Sequence, residues 1–150
     1  MATPFTWTLA EEAGPVAPTD SASVSAADLP RDILAGEDGD IALDERGDLG
    51  IATGLQAIRQ DAESRLRMWL GEWFADREVG VDYRGKVLVR NPELLGIRAE
   101  FRAVLLATPG IKSVPEMEVT YDAAARDLSV SFRALSDVGE LSATGEVAAP

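Results

Sequence analysis

The sequence predicts an α+β fold in which two amphipathic helices pack on a small mixed or antiparallel sheet, with a β-hairpin before the helices and another after them. Three observations carry this. Apolar residues recur at spacings of three and four in two separate segments, 53–73 and 91–108. They alternate at period two in segments 40–52 and 117–134. Finally, 150 residues with 46% apolar content suffice for one core. Two helical stripes and a sheet face each need an apolar partner, and stacking helices on one sheet face satisfies all of them.

Residues 1–31 are expected to be an acidic arm, either mobile or ordered on a partner. The stretch 10–30 (AEEAGPVAPTDSASVSAADLP) has no helical or strand period and too little apolar surface to offset its ordering entropy. Phe5 and Trp7 ahead of it are candidate anchors on a neighbouring subunit. Residues 1–48 contain eleven acids against Arg31 and Arg46, which is −9 of the total charge of −12. Such a chain repels phosphate backbones, so no direct nucleic-acid binding is expected.

Asp40 to Ala52 reads as the first hairpin. Ile41 and Leu43 alternate on one arm, Leu49 and Ile51 on the other, with Asp44-Glu45-Arg46-Gly47 as the turn. The acids Asp38, Asp40, Asp44 and Asp48 invite a calcium site. In an EF-hand register starting at Asp38, however, Ala42 falls on an oxygen position and Leu43 on the obligatory glycine. A solvated acidic turn explains them better.

Thr53 is the expected cap of a helix running to about Trp73, with Leu55, Ile58, Ala62, Leu66, Trp69, Leu70 and Trp73 on its apolar stripe. The second helix starts at Asn91-Pro92-Glu93, presents Leu94, Ile97, Phe101, Val104, Leu105 and Thr108 inward, and stops at Pro109-Gly110. Met117, Val119 and Tyr121 then face Leu128, Val130, Phe132 and Ala134 across a turn at 122–127. Residues 32–138 are read as the folded domain and 139–150 as a weakly patterned tail. In that tail Leu141 is a candidate for an edge strand.

Chemistry is restricted by what is missing. The chain has no histidine and no cysteine. That removes His-based triads, His general bases, His- or Cys-ligated metals and disulfides. Glu72 paired with Asp76 or Asp82, near Tyr83, is the remaining catalytic idea, a carboxylate-based glycosidase. With 26 acids in the chain, neighbouring carboxylates are expected by chance. No enzyme activity, cofactor or metal is expected. No apolar run is long enough to span a bilayer, and residues 1–9 lack the pattern of a secretory signal.

Between the helices, Gly71-Glu72-Trp73-Phe74-Ala75-Asp76-Arg77-Glu78-Val79-Gly80-Val81-Asp82-Tyr83 holds three large aromatic residues, Trp73 and Phe74 between two glycines and Tyr83 just past the second. Trp69 lies on the helical stripe and is read as core. Trp73, Phe74 and Tyr83 fit a core, a pocket or a protein interface, and Trp and Tyr concentrate in interface hot spots.

Several of these segments together resemble the baseplate wedge proteins of contractile phage tails, in the Mu-like branch of the small wedge subunit. The resemblance runs over about residues 32–138. It rests on Gly39-Asp40-Ile41-Ala42-Leu43, Gly47-Asp48-Leu49, Thr53-Gly54-Leu55-Gln56-Ala57-Ile58-Arg59-Gln60, Arg65-Leu66-Arg67, Gly71-Glu72-Trp73-Phe74, Gly80-Val81-Asp82-Tyr83, Ala107-Thr108-Pro109-Gly110-Ile111 and Arg126-Asp127-Leu128-Ser129-Val130-Ser131-Phe132. It implies a structural, non-catalytic subunit, related to type VI secretion wedge subunits and present in about six copies in the tail baseplate of a virion assembled in the host cytoplasm. The implied partners are larger wedge proteins, the tail sheath, and hub or tube proteins. The subunit would nucleate the first sheath ring. Glu72, Trp73, Phe74, Arg77 and Tyr83 are then the expected wedge contacts, with Val130 and Phe132 on the hairpin that would offer a sheet edge to the sheath. Many such proteins carry Arg-Pro after the glutamate. Here Asp76-Arg77 stand in that place, so only Glu72 carries over directly. Two alternatives stay open: a tail-associated carboxylate peptidoglycan hydrolase, and an assembly adaptor or chaperone absent from the finished particle.

Overall fold

The computed structural model describes residues 5–10, 29–36, 40–122, 124 and 127–148. Six strands and two helices follow in the order β1 (Phe5–Ala10), β2 (Arg31–Ile33), β3 (Ile51–Thr53), α1 (Leu55–Arg67), α2 (Leu94–Leu106), β4 (Ile111–Asp122), β5 (Asp127–Ser136) and β6 (Glu140–Ala148), with a single π-helical turn at Tyr83–Val87 between the helices. The fold is α+β, as expected. A four-stranded antiparallel sheet has the order β1-β6-β5-β4, and β2 pairs separately with β3.

The large sheet obeys period two. Met117 opposes Phe132, which opposes Ala143; Val119 opposes Val130, which opposes Gly145. These rows form the inner face, together with Leu128, Ala134 and Leu141. The opposite face carries Glu116, Arg133 and Ser142 in register, with Arg133 reaching Glu116 at 3.4 Å and Glu140 at 3.2 Å. On β4 the buried positions Ile111, Val114 and Met117 are three apart. Register shifts between Ile111 and Glu116, around Pro115, absorb that spacing before strict alternation resumes. α2 lies against β4 and sends Ile97, Phe101 and Leu105 into the core; α1 contributes Ile58, Ala62 and Leu66.

Several elements differ from the sequence-based expectations. Residues 140–148 are not a loose tail, because β6 is a central strand flanked by β5 and β1. At the N-terminus, Phe5–Ala10 pairs along β6 from Phe5–Val147 to Ala10–Ser142. The expected arm at 11–28 lies outside the described residues, as does Asp38 of the acidic cluster. α1 ends at Arg67 rather than near Trp73. Met68 turns extended, and its carbonyl accepts from Val81 N at 2.9 Å while Leu70 N donates to Val81 O at 2.9 Å. Long-range pairing there replaces further helical bonds. Thr53 belongs to β3, opposite Arg31, and the helix is preceded by Gly54 with no side-chain cap. α2 starts at Leu94 with Glu93 as the flanking residue, so Asn91 and Pro92 form its lead-in.

Candidate functional site: the aromatic loop

Residues 70–80 form a loop whose two feet are tied together by a parallel bridge between Trp69 and Val81. At one foot the Trp69 amide donates to Glu72 Oε2 at 3.0 Å, and Glu72 N donates to Trp69 O at 2.9 Å. At the other foot Gly80 adopts φ +112, and a Cβ there would lie 2.7 Å from Met68 O, so both conformation and crowding require glycine. Between the feet, Asp76 Oδ1 accepts from Glu78 N at 3.0 Å. The loop is therefore pinned by backbone bonds, while Glu72, Trp73, Phe74 and Arg77 all stand in solvent. Trp73 is 44% exposed and Phe74 89%.

Tyr83 does not join them. It is fully buried at the exit of the loop, between the Trp69 ring at 5.4 Å and the Phe101 ring at 6.2 Å. Its hydroxyl donates to the Leu66 carbonyl, one of the acceptors left open by the end of α1. Burial pushes its pKa well above the usual phenol range. The expectation that Tyr83 contacts a partner is corrected: its ring supports the loop from within. Trp69 is partly buried against the same core, with the Arg84 guanidinium 5.1 Å from its ring centre. Val130 and Phe132 need the same correction. They lie on central strand β5, buried beneath the helices, and the backbone of β5 is paired on both sides. The edges of the sheet are β4 and β1.

The π-helical turn beyond Tyr83 was not legible in the sequence. Leu88 N donates to Tyr83 O at 2.7 Å, and Asp82 Oδ1 caps the turn by accepting from Gly85 N at 2.8 Å. Lys86 pairs with Glu100 on α2, which raises the lysine pKa through hydrogen bonding and charge attraction.

The carboxylates proposed for hydrolysis are engaged elsewhere. Glu72, Asp76 and Asp82 each accept a backbone N–H of their own turn. An open groove of about 550 Å³ is lined by Arg98 of α2 and by residues of β4, β5 and β6, and includes none of the three. Among the described residues, no group of three Asp or Glu side chains is placed to hold a metal ion. No described helix is long and apolar enough to cross a membrane.

A family model for the contractile injection system sheath initiator matches residues 31–139. The chain belongs to the contractile injection system sheath initiator family. No individual curated protein matches it. As a sheath initiator family member it is a structural, non-catalytic protein of a contractile injection system, which decides against the hydrolase. The match begins at β2 and closes on Gly139, so it takes in the aromatic loop, both helices, β4 and β5.

Proposed function

We propose that the chain is the small wedge subunit of a contractile tail baseplate, docking on larger wedge proteins through the aromatic loop and nucleating the first sheath ring. The observation that carries this reading is Phe74, 89% exposed beside half-exposed Trp73 on a loop pinned at both feet. Binding through a pre-formed loop spares the cost of ordering it, and Trp is enriched among hot-spot residues. Glu72 and Arg77 edge the aromatic pair with opposite charges that fix register more than affinity. Sheath contact is assigned to the open edge of β4 over Met117–Asp122, past the bulge and Pro115, because an unpaired edge accepts an added strand.

The test is pull-down of the purified chain with the large wedge subunit of the same particle. Trp73→Ala with Phe74→Ala should weaken binding by about 2–4 kcal/mol, the cost of truncating hot-spot aromatics, with the circular dichroism spectrum unchanged. Wild-type binding by the double variant defeats the docking role. Separately, cryo-EM of assembled particles must place the chain in the sheath-proximal ring; its absence there would favour the adaptor reading.

A further inference from the structure

Residues 33–36 and 40–51 form a three-way β junction rather than a plain hairpin. Ile33 pairs with Ile51, Ala35 with Ile41, and Leu43 with Leu49. At its centre three backbone bonds close a ring: Leu34 N donates to Gly50 O at 2.8 Å, Gly50 N to Ala42 O at 2.9 Å, and Ala42 N to Leu34 O at 2.8 Å. Only glycine fits at position 50, since a Cβ on Gly50 would sit 2.9 Å from Ala42 O and 3.0 Å from Leu34 Cβ.

This topology fixes the side chains. Opposed residues share a face, and so do residues two apart along a strand. Following the pairs around the junction links Ile33, Ile51, Leu49, Leu43, Ile41 and Ala35 into a closed ring on one face. Burial agrees: Leu34, Ala42 and Gly50 are partly or fully buried, and all six flanking residues are exposed. The five large ones are between 46% and 62% exposed. Gln60 of α1 holds the junction in place, accepting from Ala35 N at 2.9 Å and donating to Ile33 O at 2.7 Å and Asp32 Oδ2 at 2.8 Å. The result is a pre-formed aliphatic platform.

Charge selects its occupant. The described part of this segment is acidic: Asp32, Asp40, Asp44, Glu45 and Asp48 stand exposed against Arg31 and Arg46. An excess of exposed acids in one short segment sets the sign of the local field. A second copy would oppose its own acidic segment, and anionic lipid or nucleic acid would be repelled in the same way. We infer that the platform is a second docking surface, separate from the aromatic loop, for a segment of another protein subunit that carries aliphatic side chains flanked by Lys or Arg.

The experiment replaces Leu43 with photoreactive benzoylphenylalanine in the full chain, in cells producing the complete contractile system, and maps adducts by mass spectrometry. The expected adduct joins position 43 to an apolar segment of another subunit with basic residues beside it. Adding Leu49→Glu and Ile51→Glu should cut its yield about tenfold, as for loss of a hot-spot cluster, with an unchanged melting temperature. An adduct to a second copy, to residues 11–28 of the same chain or to a segment without basic residues overturns the inference. So does no adduct, or a yield indifferent to the two glutamates. The same probe at position 74 reads the aromatic loop separately, so either surface can fail while the other stands.

Discussion

Tyr83 concentrates more of the local energetics than any exposed residue of the loop. It fills the space between Trp69 and Phe101 and satisfies the Leu66 carbonyl, so one side chain joins the end of α1, the loop exit and α2. Tyr83→Phe keeps the ring and strands the carbonyl. It should cost about 1–3 kcal/mol, the penalty for an unsatisfied buried acceptor, measured by urea denaturation. Its titration has a definite sign. Because burial raises the folded-state pKa, the ionised form is disfavoured in the native state. Stability is intact below pH 10.0 and falls as pH rises past that ordinary value toward the folded one. Lys86, also raised, loses its Glu100 contribution as pH climbs through its own folded pKa. The melting temperature should therefore drop on the alkaline side. Tyr83→Phe should flatten part of that drop, and an equal drop in the variant would contradict the account. The sequence flagged Tyr83 as one of three loop aromatics; only the ring contacts separate it from Trp73 and Phe74.

Between elements, the decisive interactions are backbone bonds formed across long sequence separations. α1 stops at Arg67 because Met68 and Leu70 pair with Val81, although the apolar stripe would carry the helix further. Gly80 permits that approach, so Gly80→Ala should cost more than the usual ~1 kcal/mol of a helix-propensity change, because it adds both φ strain and a clash with Met68 O. Faster hydrogen exchange at Leu70 and Val81 would report the opened feet. Gln60 plays the matching part at the β junction. Gln60→Leu removes three bonds, and exchange at Ala35 should accelerate while the α2 amides stay protected. Period-two patterning marked Ile41, Leu43, Leu49 and Ile51 as a hairpin; only Ile51 lies in a strand, β3, while the other three make isolated bridges. The same pattern serves a buried face or an exposed one, and here it is exposed because neither helix covers it.

At the scale of the molecule, the aromatic loop after α1 and the aliphatic junction before it are apolar features that stand outside the core. An acidic chain that shows both is in keeping with its structural family. The sequence by itself determined the α+β class, the helical stripes from Leu55 to Leu66 and from Ile97 to Leu105, the β4–β5 hairpin and the absence of His and Cys chemistry, because these depend on local periodicity and residue type; the expected Leu70, Trp73 and Leu94 of those stripes are exposed instead. Tertiary structure decided that β6 lies inside the sheet, that Val130 and Phe132 are core, and that the glycine-bracketed loop surrenders Tyr83 to the interior while holding Trp73 and Phe74 outside. Each of those outcomes depends on which segment arrives to pair or pack from far along the chain, and a period read within one segment carries no information about that arrival.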